Sequence, residues 1–151
     1  MSAKSSAQRK DPFGNYRFRV EISGMAQANF CEVILPESSN DVIEVRDGTD
    51  ASYTVRKQSG LLRHSNLILK GGLTNSFDLY SWRKMVEQGK VSQARRNVAV
   101  VLLDEEFNDV AKWEFTNAWP AKYKAPDLNG KGSEIAIETL EIVFESMQRV
   151  K

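Results

Sequence analysis

The sequence has one cysteine and one histidine, Cys31 and His64, among its 151 residues. A single cysteine excludes a disulfide within the chain, and a single histidine excludes a histidine-rich metal site. No apolar run approaches the roughly 18 residues of a membrane-spanning helix, so no stable membrane insertion is expected. Neither sign of charge prevails, since 21 basic residues balance 20 acidic ones. A protein that binds nucleic acid over its whole surface is usually far more basic.

Motifs for catalysis and nucleotide binding are also absent. The chain has no phosphate-binding loop, dinucleotide fingerprint or nucleophile elbow. Gly71-Gly72 precedes a predicted helix, but no Lys-Ser or Lys-Thr follows, so the pair favours a tight turn over a phosphate cradle. The acidic segment 104–109 lacks the spacing of a calcium-binding EF-hand loop. We therefore expect no enzymatic activity, no cofactor and no metal ion.

The length of the chain fits one domain. Residues 1–10 are small, polar and basic, which predicts a flexible arm. They contain no apolar segment like that of a secretory signal peptide, so synthesis in the cytoplasm without such a signal is expected. Residues 11–151 are then one folded domain, in which Cys31 is a small buried residue and His64 a surface or structural one.

Alternating apolar and charged residues predict a first β-strand over 16–23. Its charged positions on the open face are Arg17, Arg19 and Glu21. Residues 29–35 predict a second strand that Pro36 ends, paired with the first as an antiparallel hairpin. A third strand is predicted over 67–70.

The segment 37–64 has a weaker pattern. Two strand-like pieces, 42–46 and 52–56, flank Asp47-Gly48. This arrangement fits either a hairpin that projects from the domain around residues 40–62 or a long loop. Loops of this length are unusual in compact domains and are often functional.

One amphipathic helix is predicted over 76–88. Asn75 is a favourable N-cap residue, and Gly89 suits the left-handed position after the helix. Trp82 lies on the apolar side of this helix and is expected in the core.

A second hairpin is predicted towards the C-terminus. Residues 98–103 are apolar at every position, which indicates a strand covered on both faces, either inside the subunit or by a neighbour. The turn over 104–109 follows, with Asn108 as its expected left-handed residue. The next strand alternates and places Lys112 and Glu114 on its open face.

The last predicted strand, 134–145, changes the parity of its apolar residues midway. Either a β-bulge near Glu138-Thr139 re-aims the strand, or its halves bury opposite faces, one internally and one against a neighbour.

Together these elements predict a mainly β (α+β) fold, a small β-barrel or closed sandwich of antiparallel strands with one α-helix.

The segment TNAWPAKYKAPDLN at 116–129 combines a strand with two prolines. Proline cannot donate to a sheet ladder, so Pro120 is predicted to end pairing just after Trp119. Both prolines fix their φ angles and stiffen the exit around Tyr123. Trp119 is then predicted to plug the space between this exit and either the barrel or a neighbouring subunit.

Several segments resemble, in their order along the chain, the tail tube protein family of contractile phages and extracellular contractile injection systems. The resemblance covers nearly the whole chain, and its specificity lies in the ordered set. The segments are the strand after Asp11-Pro12, EVRDG at 44–48, NLILKGG at 66–72, Trp82, Trp113, NAWP at 117–120, Lys122, PDLN at 126–129 and EIAIETLE at 134–141. Two features depart from the family: Asn108 stands where relatives often have glycine, and 33–39 lacks the usual Ser-Gly-Leu.

The resemblance implies hexameric rings with a continuous β-barrel around a central channel, stacked into a rigid inner tube. The implied partners are further copies of the chain, a contractile sheath protein, baseplate or initiator and tube-terminator proteins, and cargo or DNA in the lumen. It also implies assembly into a phage tail or an extracellular or cytoplasmic contractile particle. Alternatives are a baseplate-proximal tube initiator, an Hcp-like secreted ring, and a small ligand-binding or enzymatic β-barrel of a different class.

Charged strand faces are expected to line this lumen, and the candidates are Arg17, Arg19, Glu21, Lys112 and Glu114. The segment around 40–62 and the Trp119 region are expected to contact other subunits or the next ring. These candidates are Glu44, Arg46, Asp47, Gly48, Tyr53, Arg56, Lys57, Trp119, Pro120 and Tyr123. No residue is expected to be catalytic.

Overall fold

Antiparallel strands make up most of the computed structural model, which describes residues 11–25, 30–46, 48 and 55–151. In chain order the elements of this described part are β1 Phe18–Ile22, β2 Glu32–Ile34, β3 Ser38–Val45, β4 Arg56–His64, β5 Leu67–Gly72, α1 Asp78–Glu87, α2 Val91–Ala94, β6 Arg96–Leu103, β7 Asp109–Lys124, β8 Ile137–Val143 and β9 Ser146–Arg149. No helix among these residues is long and apolar enough to cross a membrane.

The long strand β7 belongs to two sheets. Its first half pairs with β6 and β9, and β6 pairs with β1, so the first sheet has the order β1-β6-β7-β9. Its second half pairs with β8, which is followed by β5 and β2 in the second sheet. Buried side chains from both sheets form one core, to which the first sheet contributes Val20, Val98 and Phe115 and the second Leu69 and Ile142.

Strand pairing confirms the predicted second hairpin and corrects the first. β6 and β7 pair as expected, but β1 pairs with β6, whereas β2 pairs with β5. The apolar β6 therefore lies between two strands of its sheet. On one face Val98 and Val100 are buried in the core, and on the other Val101 is also buried, in register between Arg19 and Lys112. Cys31 precedes the short edge strand β2 and is exposed, so its predicted burial is wrong.

The mainly antiparallel β architecture is confirmed, but the predicted closure is not seen within one chain. The path of paired strands ends at β1 and β2, which have no second partner among the described strands. The reason is that β1 and β2 lie at the far ends of two different sheets. The chain therefore has open sheet edges where a closed barrel was expected.

The predicted helix is confirmed as α1, with two corrections. Phe77, not Asn75, occupies the N-cap position, and its side chain makes no capping hydrogen bond. Instead the N–H of Asp78 donates to Oγ of Ser76 at 3.3 Å. Gly89 adopts the expected left-handed conformation, with φ of 81°. The short α2 was not predicted, because four residues are too few to show a helical period.

The left-handed residue of the turn over 104–109 is Phe107, with φ of 64°, and not Asn108. The cause is the side chain of Asp104. Its Oδ1 accepts hydrogen bonds from the N–H groups of Glu106 at 2.9 Å and Asn108 at 2.8 Å. These bonds close the turn around Phe107.

The end of the chain departs from the predicted single strand. β8 pairs with β5 in unbroken register from Ile137 to Ile142, so the predicted bulge near Glu138-Thr139 is wrong. The irregularity lies on β7, between Pro120 and Lys122. The chain then continues into β9, which pairs in the first sheet, so consecutive segments serve different sheets.

Trp82 joins the two helices. Its side chain is 1% exposed, and its indole N–H donates to the carbonyl oxygen of Ala94 at 2.6 Å. We predict that Trp82→Phe lowers the free energy of unfolding by about 1–3 kcal/mol, because a buried acceptor loses its donor. Urea unfolding measures this change. The control Phe77→Ala, at a position 74% exposed, should change stability by less than about 0.5 kcal/mol, and equal losses would contradict the assignment.

Candidate assembly surfaces

One face of the first sheet carries charged side chains from β1 and β7, with Ala99 and Val101 of β6 between them, and we call it the polar face. The register aligns Arg19 with Val101 and Lys112, and Glu21 with Ala99 and Glu114. Because side chains alternate along a strand, the opposite face of the same strands supplies the core. The structure thus brings together the predicted lumen residues Arg17, Arg19, Glu21, Lys112 and Glu114 on one side of one sheet.

The charges of the polar face are paired within the subunit. Arg19 Nε lies 2.8 Å from Oε1 of Glu21, and Arg19 Nη2 lies 3.2 Å from Oδ2 of Asp109. The hydrogen bond to Asp109, followed by that to Glu21, raises the pKa of Arg19 above its ordinary value. Lys112 Nζ lies 3.6 Å from Oε1 of Glu114. The polar face is therefore hydrophilic without a strong net charge.

Asp109 was missed as a member of the polar face. It is the first residue of β7 and lies an even number of positions before the core-facing residues of that strand. Alternation alone therefore predicts that its side chain faces the core. A register shift between Leu102 and Leu103 changes this, because Val110 is an extra residue opposite them. Such a bulge re-aims the side chains before it, and no local sequence signal marked its position.

Arg17 lies at the end of the polar face, beside the turn over 104–109. Its guanidinium donates to the carbonyl oxygen of Glu105. The guanidinium carbon also lies 4.8 Å from the ring centre of Phe107 and 5.2 Å from that of Tyr16. These contacts tie β1 to the turn, so Arg17 has a packing role besides its charge.

Both edges of the first sheet have open backbone groups. Leu103 donates to the carbonyl oxygen of Arg17, so β1 pairs with β6 through its odd-numbered residues. The N–H and C=O groups of Phe18 and Val20 therefore point to the open edge. On β9, Val150 donates to the carbonyl oxygen of Lys112, so Met147 points its groups outward. The pairing order makes β1 and β9 antiparallel to each other.

Strands β3 and β4 form a separate two-stranded sheet, which we call the hairpin (38–64). Of the two interpretations of this segment, the structure confirms a hairpin. Four of its apolar side chains are between 49% and 70% exposed, and alternation divides them between the two faces: Val42 and Leu62 on one, Ile43 and Leu61 on the other. An isolated two-stranded sheet is marginally stable in water, so both faces are suited to a contact.

The predicted contact residues of the hairpin are exposed where the structure describes them. Those described are Glu44, Arg46, Gly48, Arg56 and Lys57. Asp47 and Tyr53 lie outside the described residues.

The predicted contact residues of the Trp119 region make most of their contacts within their own chain. Trp119 is half-buried and packs against the core. Pairing continues through Pro120 to Lys124, so the predicted end of pairing is wrong. Proline is tolerated there because the ladder is irregular immediately afterwards. Pro120 is fully buried, and its carbonyl oxygen accepts a hydrogen bond from Arg83 at 3.2 Å.

The described residues contain no group of three or more histidine, cysteine, aspartate or glutamate side chains placed to hold a metal ion. Open sheet edges can pair with a strand of another chain, and exposed apolar residues on a two-stranded hairpin are suited to a contact. The profile of the T4-like virus tail tube protein gp19 family matches residues 14–148. The chain therefore belongs to the tail tube protein family, which confirms the resemblance seen in the sequence.

Solved structures show the same fold. A chain in the cryo-EM structure of the anti-feeding prophage (AFP) tube-terminating cap has a TM-score of 0.83 and 22% identity, over 96% of this chain and 95% of that chain. A chain in the extended PVC sheath–tube complex has a TM-score of 0.80 and 21% identity, over 97% of this chain and 98% of that chain. Hcp1 from Salmonella typhimurium has a TM-score of 0.59 and 15% identity, over 90% of this chain and 86% of that chain. Comparison with curated protein sequences gives no significant match.

Tyr123 provides a pH-dependent test of the second sheet. Burial, and then the hydrogen bond of 2.8 Å that its hydroxyl donates to Glu138, raise its pKa from 10.0 to about 12. Because the folded pKa is the higher one, the neutral phenol stabilises the fold fully below pH 10, and this stabilisation is lost as pH rises through about 12.

We predict that absorbance titration of the tyrosines shows a late ionisation, and that Tyr123→Phe removes it. Tyr16→Phe, at a position 62% exposed, is the control and should leave the late step in place. A late step that persists in Tyr123→Phe would contradict the assignment.

Proposed function

We propose that this protein is the repeating subunit of the inner tube of a contractile injection particle, assembled as hexameric rings that stack around a channel. Family membership supports the tube role. The observation that carries the finer proposal is the first sheet, which combines one polar, charge-paired face with two open, antiparallel edges. We also propose that residues 11–151 form its single folded domain and that it has no enzymatic role; the arm predicted at 1–10 lies outside the described residues.

The two open edges fit a ring. Rotation about a channel axis preserves the direction of each strand along that axis, so β9 of one subunit and β1 of the next are antiparallel. The edge groups of Met147 and Phe18 then find backbone partners. This contact joins two different surfaces, and contacts of that type close into rings when the rotation allows it.

The polar face fits the wall of a water-filled channel, with the core behind it. The paired charges of Arg19, Glu21, Lys112 and Glu114 present no strong net charge to a passing molecule. We propose that cargo or DNA moves along this wall with little attachment. The exposed apolar residues on both faces of the hairpin support contacts with other copies, including the next ring.

The proposed partners are proteins that assemble with an inner tube. The related structures include the AFP baseplate, the AFP tube-terminating cap and the PVC sheath–tube complex. We propose a contractile sheath protein, a baseplate or initiator protein and a tube terminator as partners of this chain. Its location is then a phage tail or an extracellular or cytoplasmic contractile particle.

Negative-stain electron microscopy of the purified protein tests the proposal. Hollow rings or tubes are expected at micromolar concentration and above. Rings that never lengthen without another component indicate a baseplate-proximal initiator or a secreted ring. A stable monomer at high concentration contradicts the proposal.

The lumen assignment makes a separate prediction. Replacing Arg19 and Lys112 with glutamate should leave tube formation intact, because neither side chain points to a sheet edge, and should change cargo loading, because the wall becomes acidic. Loading is measured as the protein and nucleic acid content of purified particles. The control Lys122→Glu/Lys124→Glu makes the same charge change on the second sheet and should leave loading unchanged. Failure of the first variant to form tubes would place those side chains at an interface instead.

A further inference from the structure

Opposite charges flank the apolar strand β6 at its two ends. The sequence runs Arg95-Arg96 before the strand's apolar stretch and Asp104-Glu105-Glu106 after it. The seven residue steps from Arg96 to Leu103 correspond to about 23 Å in an extended strand. Since Arg96 pairs with Ala118 and Leu103 with Asp109, these charges lie at opposite ends of the first sheet.

The acidic end has two exposed carboxylates. The backbone of Glu105 accepts a hydrogen bond from Arg17, and the backbone of Glu106 donates to Asp104, but their carboxylates pair with no other described residue. Asp104 is occupied within the turn, where hydrogen bonds from Asn108 and then Glu106 lower its pKa. Glu105 and Glu106 are therefore available to a cationic partner.

The basic end has exposed cations. Lys90 pairs with no other described residue through its ammonium group, and Arg95 has only a long contact of 3.9 Å with Glu145. Both side chains are exposed. Arg96 is different, because its Nη1 donates to the carbonyl oxygen of Ser23 at 2.9 Å and holds the turn at Gly24. Lys90, at the start of α2, and Arg95, at its end, are therefore exposed cations on the segment that leads into this end of β6.

We propose that successive rings stack head to tail through these charges, with Glu105 and Glu106 of one ring facing Lys90 and Arg95 of the next. The inference rests on the proposed function, because strands that line a channel, even when tilted, place one end on each rim of the ring. Complementary charge repeated around a ring favours one stacking polarity, because reversed rings bring like charges together. The partner is a second copy of this chain.

A charge exchange tests this contact. Glu105→Lys/Glu106→Lys and Lys90→Glu/Arg95→Glu should each retain rings but raise the protein concentration needed for tubes by about tenfold or more, because like charges then meet. The two sets combined in one chain should restore tubes. Arg19→Glu/Lys112→Glu, which makes a charge change of the same size on the polar face, is the matched control and should form tubes as the unmodified protein does. Ring and tube fractions are measured by electron microscopy and sedimentation.

The outcomes separate the two proposals. Absence of rings from the unmodified protein contradicts the proposed function itself. If rings and tubes form normally in either reversed variant, or if the combined variant fails to regain tubes while keeping rings, the stacking contact is wrong and the tube proposal stands. Tubes of the unmodified protein should also separate into rings as salt rises, since exposed charges are screened.

Discussion

Unpaired backbone groups at the edges of the first sheet are the constraint on which the rest of the structure depends. A sheet edge is a ready template for another strand, and native proteins either cover it or pair it. In this chain β7 is shared between two sheets, and β1 and β9 lie at the edges of the first sheet. The proposed pairing with another copy would use these groups without any change in the fold.

The distribution of polar and apolar side chains supports assembly with other copies of the chain. Polar residues of the first sheet are paired in charge, so that face is suited to water rather than to a protein interface. Apolar residues of the hairpin are exposed on both faces, so the hairpin is suited to a protein interface rather than to water. The same chain thus separates a charge-paired face from exposed apolar surfaces, which agrees with the hollow assembly proposed above.

Alternation in the sequence predicted the local elements well. It identified β1, the β6–β7 hairpin and the residues of the polar face, because burial on one side gives a period of two that needs no tertiary information. The family resemblance, confirmed over residues 14–148, supplied the tube role. The mainly antiparallel β fold and the common face of the five lumen candidates were therefore accessible from the chain alone.

Features that depend on distant partners were not accessible. The pairing of β1 with β6 rather than with β2 follows from the central position of an apolar strand in the finished sheet. The place of Asp109 follows from the extra residue Val110 opposite β6. Phe107 is left-handed because the Asp104 side chain closes the turn. Each outcome depends on a contact or register that local propensity does not encode.

A cryo-EM reconstruction of the assembled protein tests the central claim most directly. The account predicts that β9 of each subunit continues into β1 of its neighbour and that Arg19, Glu21, Lys112 and Glu114 face the channel. A reconstruction in which the edges of the first sheet are unpaired, or in which the outer face of the second sheet lines the channel, would contradict it.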